Sequence, residues 1–590
     1  MIVKMQKLTL LCVASDQDRT LEALRELGAV HLTHVQRPEG AAVDQARNRL
    51  LHLRRVLEVL PKKAEQAAPS VRPAEEVVEA IWSLILQRKD LTETLETLQH
   101  EQQRMAPFGN FEPDSIRRLS ERGIRIRLYH AGIKQPIEAP EGTVLHVLSQ
   151  TKTDVFFAVI GRGDFKVNAQ EIRLPAESLK AVEAKMAETR AGLEAVEKQM
   201  AGHAADQEAI AQLAHHAEEA VLFLEARAGM GSTKPVAYLQ GFCPDDAVEP
   251  IRRAAGQNGW GLVIEEPSES DHVPTLLRNK KWVKPIKAVF DFIGVVPGYH
   301  EVDISVVFLL FFSLFFAMLV GDAGYGAIFL GLTLWIRKKH PQAPSYVFAL
   351  LAITGVATIV WGVLTGTYFG IGNLPAPLKS LQIVWLSDQN NLMGLCFLIG
   401  AIQLSIAHLW NAWNSRRSWQ ALAQLGWLCT TWTMYFTAGF MVLGRSLPSF
   451  TMGLLAVGVV LIVLFMTPVK KLKDEWFNHV MLPLNLISNF VDVVSYIRLF
   501  AVGTATLAVA QAFNSMALGD GQLSWVRMFF AAVILLVGHT LNIVLAAMGV
   551  IVHGVRLNTL EFSGHLGMQW TGILYRPFAK RRTGVPAKNV

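Results

Sequence analysis

The sequence predicts α/β cytoplasmic lobes on an antiparallel coiled-coil hairpin, followed by an all-α polytopic membrane domain of eight helices, the last two long and tilted. Three observations carry this expectation. The chain changes character near residue 303: before it charges are frequent and apolar runs short, after it long apolar segments follow one another with short polar connections. Two stretches, 41–106 and 175–231, repeat apolar residues at alternating spacings of three and four around a strand-rich insert. The run from Val480 to Leu518 is overwhelmingly apolar yet contains Asp492 and Arg498. Residues 1–300 therefore read as a cytoplasmic domain and 301–590 as a membrane domain.

Met1 to Val35 holds an apolar L-T-L-L-C-V-A, a helical D-Q-D-R-T-L-E-A-L-R-E-L, a stop at Gly28 and a strand-like A-V-H-L-T-H-V, a β-α-β unit that begins a first lobe. From Ala41 the pattern turns helical, breaks at Pro61, Pro69 and Pro73, and resumes as a seam of Val77, Ile81, Leu84, Leu91, Leu95, Leu98 and Met105. Phe108 to Gln170 returns to strands, I-R-I-R-L-Y-H, T-V-L-H-V-L-S and V-F-F-A-V-I-G, a second α/β lobe at the far end of the coil. The seam then comes back through Leu179, Val182, Met186, Leu193, Val196, Met200, Ile210, Ala214, Ala217 and Val221. Two helical arms flanking an inserted lobe pair antiparallel, and the longer extends ~70 Å at 1.5 Å per residue. Such a rod braces or separates what lies at its ends. Val236 to Glu266 completes the first lobe, and Pro267 to Pro297 is a proline-punctuated basic linker.

Apolar runs place membrane helices near 304–320, 322–336, 345–369, 392–413, 420–444, 450–467, 479–518 and 525–563. With the N-terminus inside, the inner connections carry Arg337, Lys338, Lys339, Arg416, Arg417, Lys470, Lys471, Lys473 and the basic tail from Arg576 to Lys588. The outer ones carry only Lys379, Arg445 and Arg527. This is the asymmetry that the positive-inside rule expects, and eight spans return the C-terminus to the cytoplasm. The last two runs, about 40 residues and ~60 Å as helices, exceed a ~30 Å hydrocarbon core, so they are steeply tilted or broken. A large rounded partner along their flank would reward such a pose.

Composition narrows the function. The net charge of +6 and pI near 9.0 lie largely in loops beside apolar runs and in the tail, which suits membrane orientation and not nucleic-acid binding. Met1 to Val30 lacks the apolar core and cleavage site of a secretory leader, so the first half is expected in the cytoplasm. Cys12, Cys243, Cys396 and Cys429 are scattered without disulfide or metal-ligand spacing and read as structural. Gly321-Asp322-Ala323-Gly324-Tyr325-Gly326 superficially resembles a phosphate loop, but no Gly-Lys-Ser/Thr comes after it. It reads as a tight connection between the first two membrane helices, with Asp322 capping the second or lining a polar vestibule. There is no catalytic triad, zinc spacing or dinucleotide fingerprint, so the chain is expected to hold no cofactor or metal and not to be an enzyme on its own.

The chemistry is in the membrane half. A charge at bilayer depth costs at least ~2.5 to 3.5 kcal/mol on insertion scales, so such residues line a pathway or meet a partner. Arg498 lies near the middle of its run, where snorkelling to the interface is strained. It is six residues from Asp492, so the two are no simple i, i+4 pair. Asp492 and Ser495 share its run. The last helix carries His539, Asn542, His553, Arg556 and Glu561, the first four at separations of three, eleven and three that fit one helical stripe. Arg498 and Arg556 are the candidate ion-translocation residues; Asp492, Ser495, His539, Asn542, His553, Glu561 and Asp322 are candidate polar lining.

Several segments together resemble a known family: S-Y-I-R-L-F-A-V at 495–502, V-H-G-V-R-L-N-T-L-E-F at 552–562, G-D-A-G-Y-G at 321–326, P-G-Y-H-E-V-D at 297–303 and F-G-N-F-E-P-D at 108–114. They resemble the a-subunit of V/A-type rotary ATPases, called subunit I in bacteria and archaea, and the likeness spans essentially the whole chain. The resemblance implies that Arg498 and Arg556 are stator arginines facing a carboxylate-bearing rotor ring, forcing each ion to leave through one half-channel and load from the other. A guanidinium stays charged at any working pH and favours an ionised carboxylate opposite it. The chain departs from the family where some members carry a carboxylate ten residues before the second arginine and a histidine eight after the first: here stand Ala546 and Thr506. Ile304 and Ser305 follow Asp303 where Pro-Thr is usual. The function implied is an ion-translocating stator subunit, moving protons or sodium, with the coil linked to peripheral stalks. Its partners would be the rotor ring of small membrane subunits, the stalks, the ATP-hydrolysing head and the lipid bilayer. A secondary transporter would carry inverted repeats, of which the sequence has no sign. A non-conducting membrane scaffold would leave Arg498 and the polar stripe without a reason.

Overall fold

The computed structural model describes residues 1–61, 72–233, 235–372, 375–467, 476–519 and 525–580. The N-terminal part is mixed α/β and the C-terminal part helical. β1 (Met5–Val13) passes through α1 (Gln17–Leu27), stopped by Gly28 at φ 60°, into β2 (His31–Thr33). The two strands do not pair with each other, because a strand from far along the chain enters between them. α2 (Ala41–Val59) and α3 (Ala74–Met105) lead outward to α4 (Pro113–Glu121) and the strands β3 (Ile124–Gly132), β4 (Thr143–Gln150), β5 (Asp154–Arg162) and β6 (Gln170–Ile172). These strands form an antiparallel sheet in the order β4-β5-β3-β6, around buried Tyr129, Phe157 and Val159.

The chain returns through α5 (Leu179–Gly202) and α6 (Gln207–Ala228). Leu84 packs on Val196 and Met200, and Met105 on Val182 and Met186, so α3 and α5 run in opposite directions. Leu50, Leu53 and Val56 pack with Ile210, Ala214, Ala217 and Val221, which joins α2 to α6 in the same sense. The returning arm is interrupted by a tight turn at His203–Asp206. β7 (Gly231–Thr233), β8 (Val236–Pro244), α7 (Val248–Asn258) and β9 (Gly261–Glu265) then close the first lobe. β8 is the strand between β1 and β2, and β9 takes the other edge of β1. Leu8, Leu10, Leu21, Leu24, Val30, Leu239 and Ile251 form its core. Cys12, Cys243 and Cys396 are buried, Cys429 is partly so, and all four are free thiols. Burial pushes the Cys243 thiol up to about 11, which suits an inert core residue.

After β10 (Pro274–Thr275) and α8 (Lys287–Ile293) come the apolar helices α9 (Ser305–Val320), α10 (Ala323–Lys339), α11 (Ser345–Thr365), the short α12 (Ala376–Lys379), α13 (Gln389–Asn414), α14 (Gln420–Leu443) and α15 (Thr451–Phe465). α16 (Trp476–Val480), α17 (Leu482–Ser495), α18 (Ile497–Leu518), α19 (Trp525–Gly549), two π-helical turns (Val550–Gly554 and Leu557–Phe562) and α20 (Ser563–Leu566) complete the helical part. Ser345–Thr365, Gln389–Asn414, Leu482–Leu518 and Trp525–Leu566 are long and apolar enough to cross a membrane; Ser305–Val320 and Thr451–Phe465 are apolar but shorter. The chain is a membrane protein with four candidate spans among the described residues. Glycines let neighbouring helices touch: a β-carbon on Gly362 of α11 would collide with the Ala323 backbone of α10, and one on Gly426 of α14 would meet the Gly458 carbonyl of α15 at 2.7 Å.

The last two long stretches are interrupted. The first breaks at Tyr496, where the Leu499 N–H reaches back only to the Tyr496 carbonyl, and the second loosens into its two π turns. The chain then returns to the first lobe. The Gly572 N–H donates to the Val296 carbonyl (3.1 Å) and β11 (Ile573–Leu574) pairs parallel with β10. Tyr575 Oη donates to the Ala29 carbonyl (2.7 Å), the Arg576 N–H to His31 Nδ1 (3.0 Å) and the Phe578 N–H to the Val30 carbonyl (2.8 Å). In sequence this tail reads only as a basic flank. Pro69, Lys470, Lys471, Lys473 and the basic tail beyond Lys580 lie outside the described residues.

Candidate functional site

The break at Tyr496 decides where Arg498 sits. Tyr496 is fully buried against Phe315, with ring centroids 5.9 Å apart, and its hydroxyl donates to Gln403 Oε1 of α13 at 2.8 Å. Gln403 Nε2 in turn donates to Asn558 Oδ1 (3.0 Å), and Asn558 Nδ2 to the Gly554 carbonyl (3.0 Å), between the two π turns. This buried polar chain ties the break in one long stretch to the loosened turns of the other. Arg498 follows this irregularity by two residues, at the start of α18 and near the middle of the long apolar stretch Leu482–Leu518. A cation among apolar helices needs a local anion.

Glu561 is that anion. Its Oε1 accepts from Arg498 Nη1 at 3.0 Å and lies 3.5 Å from Arg556 Nε, and its side chain is 4% exposed. Arg498 Nη2 also donates to Ser495 Oγ at 3.0 Å. Arg498 is largely covered, whereas Arg556 is half open, with side-chain exposures of 25% and 51%. Glu561 Oε2 is buried and makes no hydrogen bond among the described residues. His553 is half-buried in the field of both arginines. Two guanidiniums sharing one carboxylate oxygen leave a net positive charge at a place that is apolar on most sides.

The two halves of the stripe expected over His539, Asn542, His553 and Arg556 meet different partners. His553 and Arg556 join the Glu561 group, while His539 and Asn542 join a separate one. There Tyr325 Oη meets His539 Nδ1 at 2.7 Å and accepts from Asn542 Nδ2 at 2.9 Å. His539 Nε2 meets Asn514 Oδ1 (3.1 Å), and Asn542 Nδ2 also donates to the Thr506 carbonyl (2.8 Å). Ala546 is buried one turn further along α19. Asp322 is an N-cap: Oδ1 accepts from the Gly324 and Tyr325 N–H groups (2.7 and 3.2 Å) and Oδ2 from Gly370 N–H (3.3 Å). Of the two roles expected for Asp322, the cap is the one seen. Asp492 meets neither arginine; its Oδ2 lies 3.1 Å from His565 Nε2.

Within this chain the carboxylate that Arg498 and Arg556 share is Glu561. Gln403, Tyr496, Asn558, Tyr325, Asn514, His408 and His565 are absent from the residues that sequence reasoning selects. Their only sequence signal is a polar residue inside an apolar run, which for Gln403, His408 and Asn558 is visible.

The arrangement is that of a membrane protein whose apolar helices bury an Arg–Glu–Arg group beside extended hydrogen-bonded side chains. No family model matches the sequence. V-type ATP synthase subunit I of Borreliella burgdorferi is 30% identical over 623 aligned residues, covering 99% of this chain and all of the relative. V-type ATP synthase subunit I 1 of Treponema pallidum is 31% identical over 640, covering 98% and 100%. A crystal structure of the cytoplasmic N-terminal domain of subunit I, homolog of subunit a, of V-ATPase is 17% identical, covering 44% of this chain and all of that domain with a TM-score of 0.22. The chain belongs to the V-type ATP synthase subunit I family.

Proposed function

We propose that this chain is the ion-translocating stator subunit of a rotary ATPase membrane sector, forming proton half-channels against a rotor ring and linking to peripheral stalks. ATP chemistry belongs to partner chains. The observation that carries the reading is Arg498, held among apolar helices by Glu561 and Ser495 and only 25% exposed. Burying a guanidinium so is costly, and its fixed charge suits discharge of a carboxylate moving past it. In this reading Arg498 and Arg556 govern translocation, with Ser495, His553 and Glu561 around them, Asp492, His539 and Asn542 as polar lining apart from them, and Asp322 holding the α10 start. Residues 1–300 form the cytoplasmic domain with the paired arms as an antiparallel coiled-coil hairpin, and 301–590 the membrane domain with eight spans and a cytoplasmic C-terminus.

The exposed apolar flank supports the ring as partner. The apolar stretch Trp525–Leu566 is largely exposed, whereas Gln389–Asn414 is mostly buried. Leu484, Ile487 and Val491, spaced along α17, are 57%, 59% and 53% exposed. Cysteines at these three positions in the native complex are expected to cross-link to a small membrane subunit present in many copies. Cross-links to lipid alone would count against the reading.

A further inference from the structure

A second buried polar chain begins one helical turn beyond Glu561 and takes no part in the arginine group. Asp492 Oδ2 meets His565 Nε2, His565 Nδ1 meets His408 Nε2, and His408 Nδ1 meets Gln424 Oε1, each at 3.1 Å. The four side chains come from α17, α20, α13 and α14. His408 is 3% exposed, and the His565 and Asp492 side chains 12% and 27%. Trp427 stacks along His408, and Asn411 Nδ2 donates to the His565 carbonyl at 2.8 Å. The flanking charged and titratable groups are Glu561 with Arg498 and Arg556, Tyr496 bonded to Gln403, and Arg416 and Arg417 on the α13–α14 connection.

Counting donors shows what such a line holds. A neutral imidazole has one donor and one acceptor nitrogen. With Gln424 presenting its carbonyl, His408 donates from Nδ1 and accepts at Nε2. His565 must then donate from Nδ1 and accept at Nε2, so Asp492 has to be the donor and carries a proton. With the Gln424 amide turned to present its NH2 group, every bond reverses, His565 donates to Asp492, and Asp492 is a bare carboxylate. Both arrangements satisfy every group and differ by one proton.

We propose that Asp492, His565, His408 and Gln424 form a proton relay between the α13–α14 connection and the open flank of α17. The relay rests on the ion-translocating reading above and adds to it a path separate from the arginine group. In loading, the Gln424 amide swings aside, a proton from the α13–α14 connection adds to His408 Nδ1, the proton on His408 Nε2 passes to His565 Nδ1, and the proton on His565 Nε2 passes to Asp492. No bond between heavy atoms changes, and one proton has moved. Asp492 then gives it up at the α17 flank, and the two rings and the Gln424 amide reorient before the next proton enters. A structural tie between four helices would need the hydrogen bonds but not the titratable rings.

The test uses the whole complex reconstituted in vesicles, reading ATP-driven proton uptake across pH. His565→Gln and His408→Gln keep hydrogen-bonding capacity but cannot pass a proton. Each is expected to assemble, to lower uptake at least ten-fold and to flatten its pH profile. His565→Ala is expected to regain uptake when imidazole is added. Uptake and pH profile like the parent's in both glutamine variants would overturn the relay, and so would failure of imidazole to restore His565→Ala. Arg498→Ala separates the two ideas. If it pumps normally, the translocation reading falls; if it is inactive while His565→Gln and His408→Gln are normal, the relay alone falls.

Discussion

Glu561→Gln removes the one carboxylate that two guanidiniums share. Both Arg498 Nη1 (3.0 Å) and Arg556 Nε (3.5 Å) approach the same oxygen, and the Glu561 side chain is 4% exposed. Removing one partner from a buried ion pair costs about 3–5 kcal/mol, chiefly because the other charge stays buried and unpaired. Here the cost falls unequally. Arg556 is 51% exposed and rehydrates, while Arg498 is 25% exposed, so a destabilisation at the low end, about 3 kcal/mol, is expected. Arg498→Gln alone leaves Glu561 buried beside Arg556 and is also expected to destabilise. The double variant removes both halves of the closer contact, so its loss should fall short of the sum by about 1–3 kcal/mol. The assay is a double-mutant cycle on the full chain in detergent, following denaturant unfolding. Additivity within about 0.5 kcal/mol would refute the argument that Glu561 is the anion Arg498 depends on.

The docked tail should be pH-sensitive. His31 Nδ1 accepts the Arg576 N–H at 3.0 Å and so must be unprotonated, and burial lowers its pKa from the ordinary 6.5. Protonation therefore favours the undocked tail: docking is complete above about 6.5 and is lost as pH falls through the lower, folded value. Amide hydrogen exchange over 576–580, corrected for its intrinsic rate, should be faster at acid pH, and equal protection at both would count against the His31 contact. Phe578→Ala removes a ring from the first-lobe core near Phe223 and is expected to loosen the same segment at neutral pH, read by the same exchange. Gly362→Val should separate α10 from α11 and lower assembly yield several-fold, whereas Gly331→Val, at an open position of α10, should not. Cysteines at Lys339 and Lys379 should be labelled from opposite sides of the membrane, and labelling of both from one side would remove the eight-span arrangement.

Legibility divides along physical lines. The change near residue 303 and the four long apolar helices come from hydropathy, which is a local property and survives folding. Glu561 stands out in the sequence, but its tie to Arg498 spans 63 residues and has no signature in either run. The irregularity at Tyr496 is marked by no Pro or Gly, and the Tyr496 hydroxyl is tied to Gln403 of another helix. His408 shows in the sequence as a polar residue inside an apolar run but not by its role, because a lone histidine in an apolar helix resembles any core histidine until its partner His565 is known. The entry of β8 between β1 and β2, and the return of the tail to β10 and His31, are likewise long-range pairings that periodicity does not carry.

The central claim is that Arg498 serves translocation, and ATP-driven proton uptake by the reconstituted complex tests it most directly. Arg498→Ala is expected to abolish uptake while the complex assembles and its head still hydrolyses ATP. Arg498→Lys keeps a charge but not the planar fork that bonds Glu561 and Ser495 together, and is expected to leave only a small remnant. Uptake by Arg498→Ala near that of the parent chain would contradict the account.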